Sequence, residues 1–399
     1  MVVSEIAVPL VDINPNKAQR YSTHGIFRYF GKYPPTSTRM LLEVLWERQA
    51  RGPVVDIMCG SGTTLLEALL CGRPAIGVDV NPISVLISKV KTEKSSHKKI
   101  SELLTRFDSA AKKSLNISIL DDFSLFRSTI TRGFDFDVDG IQHVSETVMS
   151  RVGRWFSVET AFQHSLIYCF LRSLKDSPEK RVVQLAWLKT IRSSSYASNR
   201  TGRLFFDKQK EPTPPLCKFV KRVLEIHELQ SSLPENLPHC SVLQGSALRL
   251  PKAIGLLETI FWHPPYFALY KYSSDVLRLE LEWSQIDRKQ IVAEEIRDGF
   301  KTSNPDDAEK YIADCDSVWQ ELFNKSAPGA WGVAINSDAT LAKKKLDIIN
   351  KFADGATRSG FMIEQIFRRP TMHTQATYHK SSEDIRTKED YIVVFRKAY

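Results

Sequence analysis

Apolar positions along the chain come in short runs that alternate with helical patterns towards both ends, and the middle is helical by pattern. Thr36 to Glu47 predicts an amphipathic helix, with Met40, Leu41, Val44 and Leu45 on one side. Val54-Val55 then leads through a glycine-rich turn into the apolar run Thr64–Leu70, which predicts strand, turn and helix. Ala75–Val78 predicts a second strand closed by Asp79, and Asn81-Pro82 caps and opens a helix running to about Lys91. Between 94 and about 240 the pattern stays mostly helical, clearest over Thr160–Leu171 and Gln184–Ile191. Strand patterns resume at Ser241–Ala247, a strand and its turn, and at Leu256–Trp262 and Trp331–Asn336, the last followed by a helical pattern over Ala339–Phe352. Phe361–Phe367 and Tyr391–Arg396 complete seven strands, and the polar loop between them would suit an antiparallel last pair. Residues 1–20 carry no readable pattern.

These elements imply an α/β chain in three segments. Residues 1–93 and 241–399 form two parts of one α/β core, with 94–240 a mostly helical inserted lobe. At 399 residues the chain is long enough for a large core. No apolar stretch reaches the length of a membrane span, and the N-terminus lacks the basic segment of an export signal. The formal charge of +9 favours a polyanionic partner, though the surplus is thinly spread. Six cysteines stand far apart with no CxxC pair, so neither a zinc site nor a disulfide lattice is expected. A reducing, cytosolic compartment and no metal are the expectations.

Three stretches carry candidate chemistry. Asp56-Ile-Met-Cys-Gly-Ser-Gly-Thr-Thr64 would cradle a nucleoside-type ligand, with Gly60 and Gly62 allowing a tight turn and close backbone approach. Asp79 stands at a distance suited to ribose hydroxyls, and Phe30, Lys32 and Tyr33 would cross the same sheet edge or simply pack their loop. Arg192-Ser-Ser-Ser-Tyr-Ala-Ser-Asn-Arg-Thr-Gly-Arg203 combines hydroxyls, arginines and a tyrosine, as phosphate contacts or a solvated loop both would. Finally, His263-Pro264-Pro265-Tyr266 follows a buried strand. Paired prolines fix the backbone there, a rigid carbonyl can accept from an exocyclic amine, and Tyr266 offers a ring for stacking.

Together these stretches resemble the amino-group DNA methyltransferases. The first is similar to their cofactor motif D-P-F-C-G-S-G-T-T, Gly77–Pro82 to the acidic motif, and His263–Tyr266 to the catalytic D/N/S-P-P-Y/F. Tyr29–Pro35 matches in position an N-terminal cofactor motif, and Tyr270–Trp283 resembles an extension found in one branch with cytosine-N4 methylases. Lys388–Lys397 looks like the closing strand. The resemblance implies a Rossmann-like, seven-stranded methyltransferase sheet and S-adenosyl-L-methionine as cofactor. It assigns the cofactor to Phe30, Lys32, Tyr33, Asp56, Cys59, Gly60, Ser61, Gly62, Thr63 and Thr64, and to Asp79, Val80, Asn81 and Ser246. His263, Pro264, Pro265 and Tyr266 become catalytic; Arg192, Ser195, Tyr196, Arg200 and Arg203 fall in the segment that reads duplex DNA. A prokaryotic cytosolic enzyme follows, with a restriction endonuclease as a possible companion. Two positions depart: His263 replaces Ser, Asn or Asp, and Ser246 replaces a common Asp. Cytosine-N4 methylation is the leading expectation. Adenine-N6 methylation, an RNA or protein amino-group methyltransferase, and an inactive nucleic-acid-binding relative are the alternatives.

Overall fold

The structure, a computed structural model, describes residues 3–5, 19–115, 138–199, 204–267, 273, 276–296, 304, 306–341, 344–370 and 389–399. The first half runs β1 (Val3–Glu5), α1 (Pro35–Glu47), β2 (Val54–Asp56), α2 (Thr63–Leu70), β3 (Ala75–Asp79) and α3 (Pro82–Thr92). Five helices follow: α4 (His97–Leu115), α5 (Val138–Val152), α6 (Val158–Arg172), α7 (Pro178–Ile191) and α8 (Pro215–Ser231). The chain then forms β4 (Cys240–Gln244), β5 (Leu257–Trp262), α9 (Arg278–Trp283), α10 (Arg288–Glu294), α11 (Asp306–Lys325) and β6 (Ser326–Asn336). It ends with β7 (Ala339–Leu341), β8 (Lys344–Leu346), α12 (Ile348–Arg358), β9 (Met362–Pro370) and β10 (Glu389–Arg396).

The main sheet has the order β1-β9-β10-β6-β5-β2-β3-β4. All seven strands expected from the pattern are in it, and β1 adds a short eighth at the edge, parallel to β9. β4, β3, β2, β5 and β6 run parallel, whereas β10 is antiparallel to both β6 and β9. The order reverses between β2 and β5, so the chain leaves these neighbours in opposite directions and opens a crevice at their carboxyl ends. Both strands are apolar and buried because helices cover the two faces. On one face, α11 and α12 bring Trp319 and Phe352 against Trp262, with ring centroids 4.8 and 4.9 Å from it.

The middle helices share one apolar core with α3, with Ile26 and Phe27, and with Val276–Trp283. Packing of the helical layer therefore reaches beyond residues 94–240. One local expectation is corrected. Ala339–Phe352 is not a single helix: β7 and β8 pair as an antiparallel hairpin, Ala339 facing Leu346. The helix α12 starts only after Asp347, whose carboxylate accepts from the Asn350 N–H and caps it, and runs on to Arg358.

Candidate active site

The glycine loop is shaped by hydrogen bonds to the strand beside it. Gly60 and Gly62 have φ of +50° and +71°, in the left-handed region where a side chain is strained. The Gly60 N–H donates to Asp79 Oδ2 and the Asn81 N–H to Asp79 Oδ1, each at 2.8 Å. Asn81 in turn caps α3, accepting from the Ile83 N–H at 3.0 Å. One carboxylate thus ties the end of β3 to the loop after β2. Burial raises Asp79 to about 6 against two backbone hydrogen bonds, and raises Asp56 to about 7. Beneath the loop, the buried Lys91 amine donates to Ser61 Oγ at 3.4 Å, and burial lowers its pKa well below the ordinary lysine value.

The Pro-Pro turn leaves β5 on the far side of the same crevice. His263 is half-buried, its ring edge-on to Tyr33 and to Tyr266, with centroids 5.2 Å away in both cases. Burial, and then the charge of Arg369, lower its pKa to about 4, so the ring is neutral at physiological pH. The Tyr266 hydroxyl donates to Asp390 Oδ1 at 2.9 Å. The two proline carbonyls differ. Pro265 O accepts from the Tyr311 hydroxyl at 3.0 Å, while no described residue donates to Pro264 O.

Between loop and turn lies a cavity of about 350 Å³. Its walls bring together Lys32, Tyr33, Asp56, Cys59, Gly60, Ser61, Thr63, Thr64, Asp79, Val80, Asn81 and all of His263–Tyr266. Thr63 Oγ1 is buried there and makes no hydrogen bond to any described residue, and the buried Tyr33 hydroxyl interacts with the Arg369 guanidinium without a well-aligned hydrogen bond. Cys59 is a buried free thiol whose pKa burial raises well above the ordinary value, which suits a small turn residue and not a nucleophile.

Several expected residues lie elsewhere. Phe30 is not in the wall; the Arg28 guanidinium carbon sits 4.7 Å from its ring centroid. Gly62 turns its α-carbon towards Ser88, where an added Cβ would come within 2.8 Å of the hydroxyl. Ser246 is also outside, donating to the Glu294 carbonyl at 3.0 Å, while its neighbours Gly245 and Ala247 line the cavity with Glu294 and Glu295. Ser195 is fully buried, its hydroxyl donating to Arg192 O at 3.0 Å and accepting from the Ala197 N–H, so it presents nothing to a nucleic acid. The reading of that serine as a nucleic-acid contact is corrected: Ser193, Ser194 and Ser195 each donate to a carbonyl at the end of α7. Arg192 donates to Ser198 O at 3.1 Å, and Tyr196 packs against Phe206 with ring centroids 5.5 Å apart. Arg200 and Arg203 lie outside the described residues.

The motif reading missed Arg369 and Asp390 in the wall, and Tyr311 behind it. Strand pairing is the signal that finds two of them, since Arg369 and Asp390 face each other across β9 and β10. Among the described residues no group of three or more His, Cys, Asp or Glu could hold a metal ion, and no helix is long and apolar enough to cross a membrane.

No protein-family model matches the chain. It is 33% identical over 95 residues to type II methyltransferase M.MjaII of Methanocaldococcus jannaschii, covering 23% of this chain and 17% of that protein. It is 23% identical over 224 residues to type II methyltransferase M.MvaI of Kocuria varians, covering 53% of this chain and 45% of the relative. The chain therefore spans less than half the length of either relative. Among solved structures, TTHA0409 of Thermus thermophilus, described as a DNA modification methylase, overlays 39% of this chain and 52% of its own at 17% identity and a TM-score of 0.24. TrmN from Thermus thermophilus overlays 92% of this chain and 50% of its own at 9% identity and a TM-score of 0.34. At such scores the overlays carry no argument, and the fold rests on the strand order above. In sequence the chain is similar to type II methyltransferases, and its cavity carries the motifs through which it resembles the amino-group methyltransferase family.

Proposed function

We propose that the chain is an S-adenosylmethionine-dependent DNA methyltransferase that modifies the exocyclic N4 amine of cytosine. The observation that supports it is one cavity at the sheet's switch point with the glycine loop on one wall and the His-Pro-Pro-Tyr turn on another. The residues fit the cofactor. Asp79 is a carboxylate acceptor for ribose hydroxyls, and Thr63 Oγ1 is a buried polar atom with no hydrogen bond to any described residue. S-adenosylmethionine supplies an electrophilic methyl on a sulfonium. The protein's work is to bind, orient and dehydrate.

Duplex stacking hides the amine, so the base must leave the helix to enter the cavity. Pro264 O, rigid and without a described donor, would accept one N–H of the amine, and neutral His263 the other. Both acceptors gain strength as positive charge develops on that nitrogen, which is electrostatic stabilisation added to orientation. Tyr266 would stack on the base, its ring held by Asp390. Segment 94–240 is the proposed target-recognition lobe, with Arg192, Arg200 and Arg203 on its phosphate side. A companion endonuclease would make the methylation protective.

The pH dependence separates these roles. His263 at about 4 stays neutral throughout pH 5–8, so the chemical step should show no acid limb near 6.5. Asp79 at about 6 protonates below that value and loses its anionic acceptor, so KM for S-adenosylmethionine should rise as pH falls through 6. Because burial puts Asp56 in the same cavity at about 7, a limb in the single-turnover rate near 6.5 would contradict the histidine assignment only if it persists at saturating S-adenosylmethionine in Asp56→Asn.

The class itself is tested with labelled S-adenosylmethionine and mixed-sequence duplex DNA, digested to nucleosides and separated by mass. N4-methylcytosine is the expected product. N6-methyladenine would defeat the base assignment, label only in RNA or protein the substrate assignment, and binding without transfer would leave an inactive DNA-binding relative.

A further inference from the structure

The cavity wall holds a cation that the mechanism above leaves unused. Arg369 faces Asp390 across the β9–β10 ladder and lines the cavity with His263. Its guanidinium carbon lies 4.9 Å from the Tyr33 ring centroid, and its side chain is 19% exposed. Nη1 is 3.6 Å from Asp390 Oδ2, close enough to offset charge and too far for a hydrogen bond. That buried Nη1 makes no well-aligned hydrogen bond to any described residue, and its nearest polar neighbours are the Asp390 carboxylate and the Tyr33 hydroxyl, which interacts with the guanidinium without satisfying Nη1. A donor left unmade in a buried wall is costly unless a ligand supplies the acceptor.

The surroundings indicate which acceptor. Asp390 neutralises much of the arginine's charge, so a phosphate would gain little from it, whereas a neutral carbonyl or ring nitrogen needs only the donor. A guanidinium has donors in a planar fork and no acceptor. Cytosine presents, next to its amine, two acceptors in a row, N3 and O2. Adenine presents N1 and then a carbon-bound hydrogen. Placing the amine on Pro264 and His263 leaves that edge to be met by other groups of the wall. Asp390 also keeps the positive charge growing on the amine from facing a bare cation.

We propose that Arg369 is a specificity-determining residue, donating to the N3 and O2 acceptors of the flipped cytosine and so favouring it over adenine. This rests on the amine-transfer reading given above. Asp390 acts through it and through Tyr266 as a positioning residue.

The test maps the site methylated by the wild-type chain on mixed-sequence DNA. It then compares wild type, Arg369→Ala and Arg369→Lys on that duplex and on one whose target cytosine lacks the 2-oxo group. Retention of S-adenosylmethionine affinity within about twofold reports a folded site. Arg369→Ala should slow single-turnover methylation about 10- to 100-fold, the range for lost hydrogen bonds from a charged donor. Arg369→Lys keeps the charge beside Asp390 but not the fork, and should fall between; if the alanine variant does not fold, the lysine variant decides. The analogue should penalise wild type by a similar factor and add little to the alanine variant, because both changes remove one interaction. N4-methylcytosine formed at the wild-type rate by the variants would overturn the arginine's role alone. So would a loss confined to DNA affinity with a flatter salt dependence, which marks a phosphate contact. Label on adenine from the wild-type chain would overturn the cytosine reading itself, before any variant is made.

Discussion

Asp79→Ala is expected to weaken S-adenosylmethionine binding at least about 100-fold, measured by calorimetry. Two hydrogen bonds from ribose hydroxyls to a carboxylate are worth about 1.5–3 kcal/mol each, since the acceptor is charged. The same carboxylate holds the Gly60 N–H, so its loss also frees the loop that faces the cofactor. Asp79→Asn separates the two effects. The amide keeps one oxygen, but its NH2 must face either the Gly60 or the Asn81 N–H, donor against donor. Its affinity should be intermediate, and it should lack the loss below pH 6 expected of the wild type. Affinity equal to wild type in the alanine variant would remove Asp79 from the cofactor site.

Glu67→Ala is expected to cost about 2–4 kcal/mol of folding stability, since it leaves buried hydrogen-bond donors unsatisfied at about 1–3 kcal/mol each. Glu67 sits in α2 with no exposed surface. It accepts from the Tyr21 hydroxyl at 2.5 Å, His24 Nε2 at 2.6 Å and Arg39 Nε at 2.7 Å. Burial alone would raise its pKa; the hydrogen bonds from His24, Tyr21 and Arg39 outweigh that and hold it below the ordinary glutamate value. Alanine leaves three donors without their acceptor, among them the fully buried His24 side chain. The effect reaches the site, because the His24 carbonyl accepts from Lys32 Nζ at 3.1 Å and Lys32 lines the cavity. A lower urea midpoint with weaker cofactor binding is the expected pair of results. Glu67→Gln, which keeps the volume and one acceptor, should recover part of both. An unshifted midpoint for the alanine variant would show that the cluster contributes nothing net.

The local motifs were readable because each depends on neighbours in sequence. Val54-Val55 before a double-glycine turn and Asn81 before Pro82 each carry their own backbone requirement, and the structure has the Asn81 cap in place. The seven-stranded α/β pattern was likewise legible from alternation. What the chain alone did not determine is which distant side chains meet. Ser195 looks like a surface hydroxyl in a run of serines and is buried at the end of α7. Ala339–Leu341 and Lys344–Leu346 suit a helix by spacing, and antiparallel pairing makes them strands. Arg369 and Asp390 stand unremarkably in two strands until antiparallel pairing sets them face to face beside His263, more than a hundred residues away in the chain. Strand order and register belong to the whole sheet, where burial and hydrogen bonding are satisfied collectively. The sequence determined the loop and the turn; the sheet's closure decided that one cavity joins them and which cation stands in its wall.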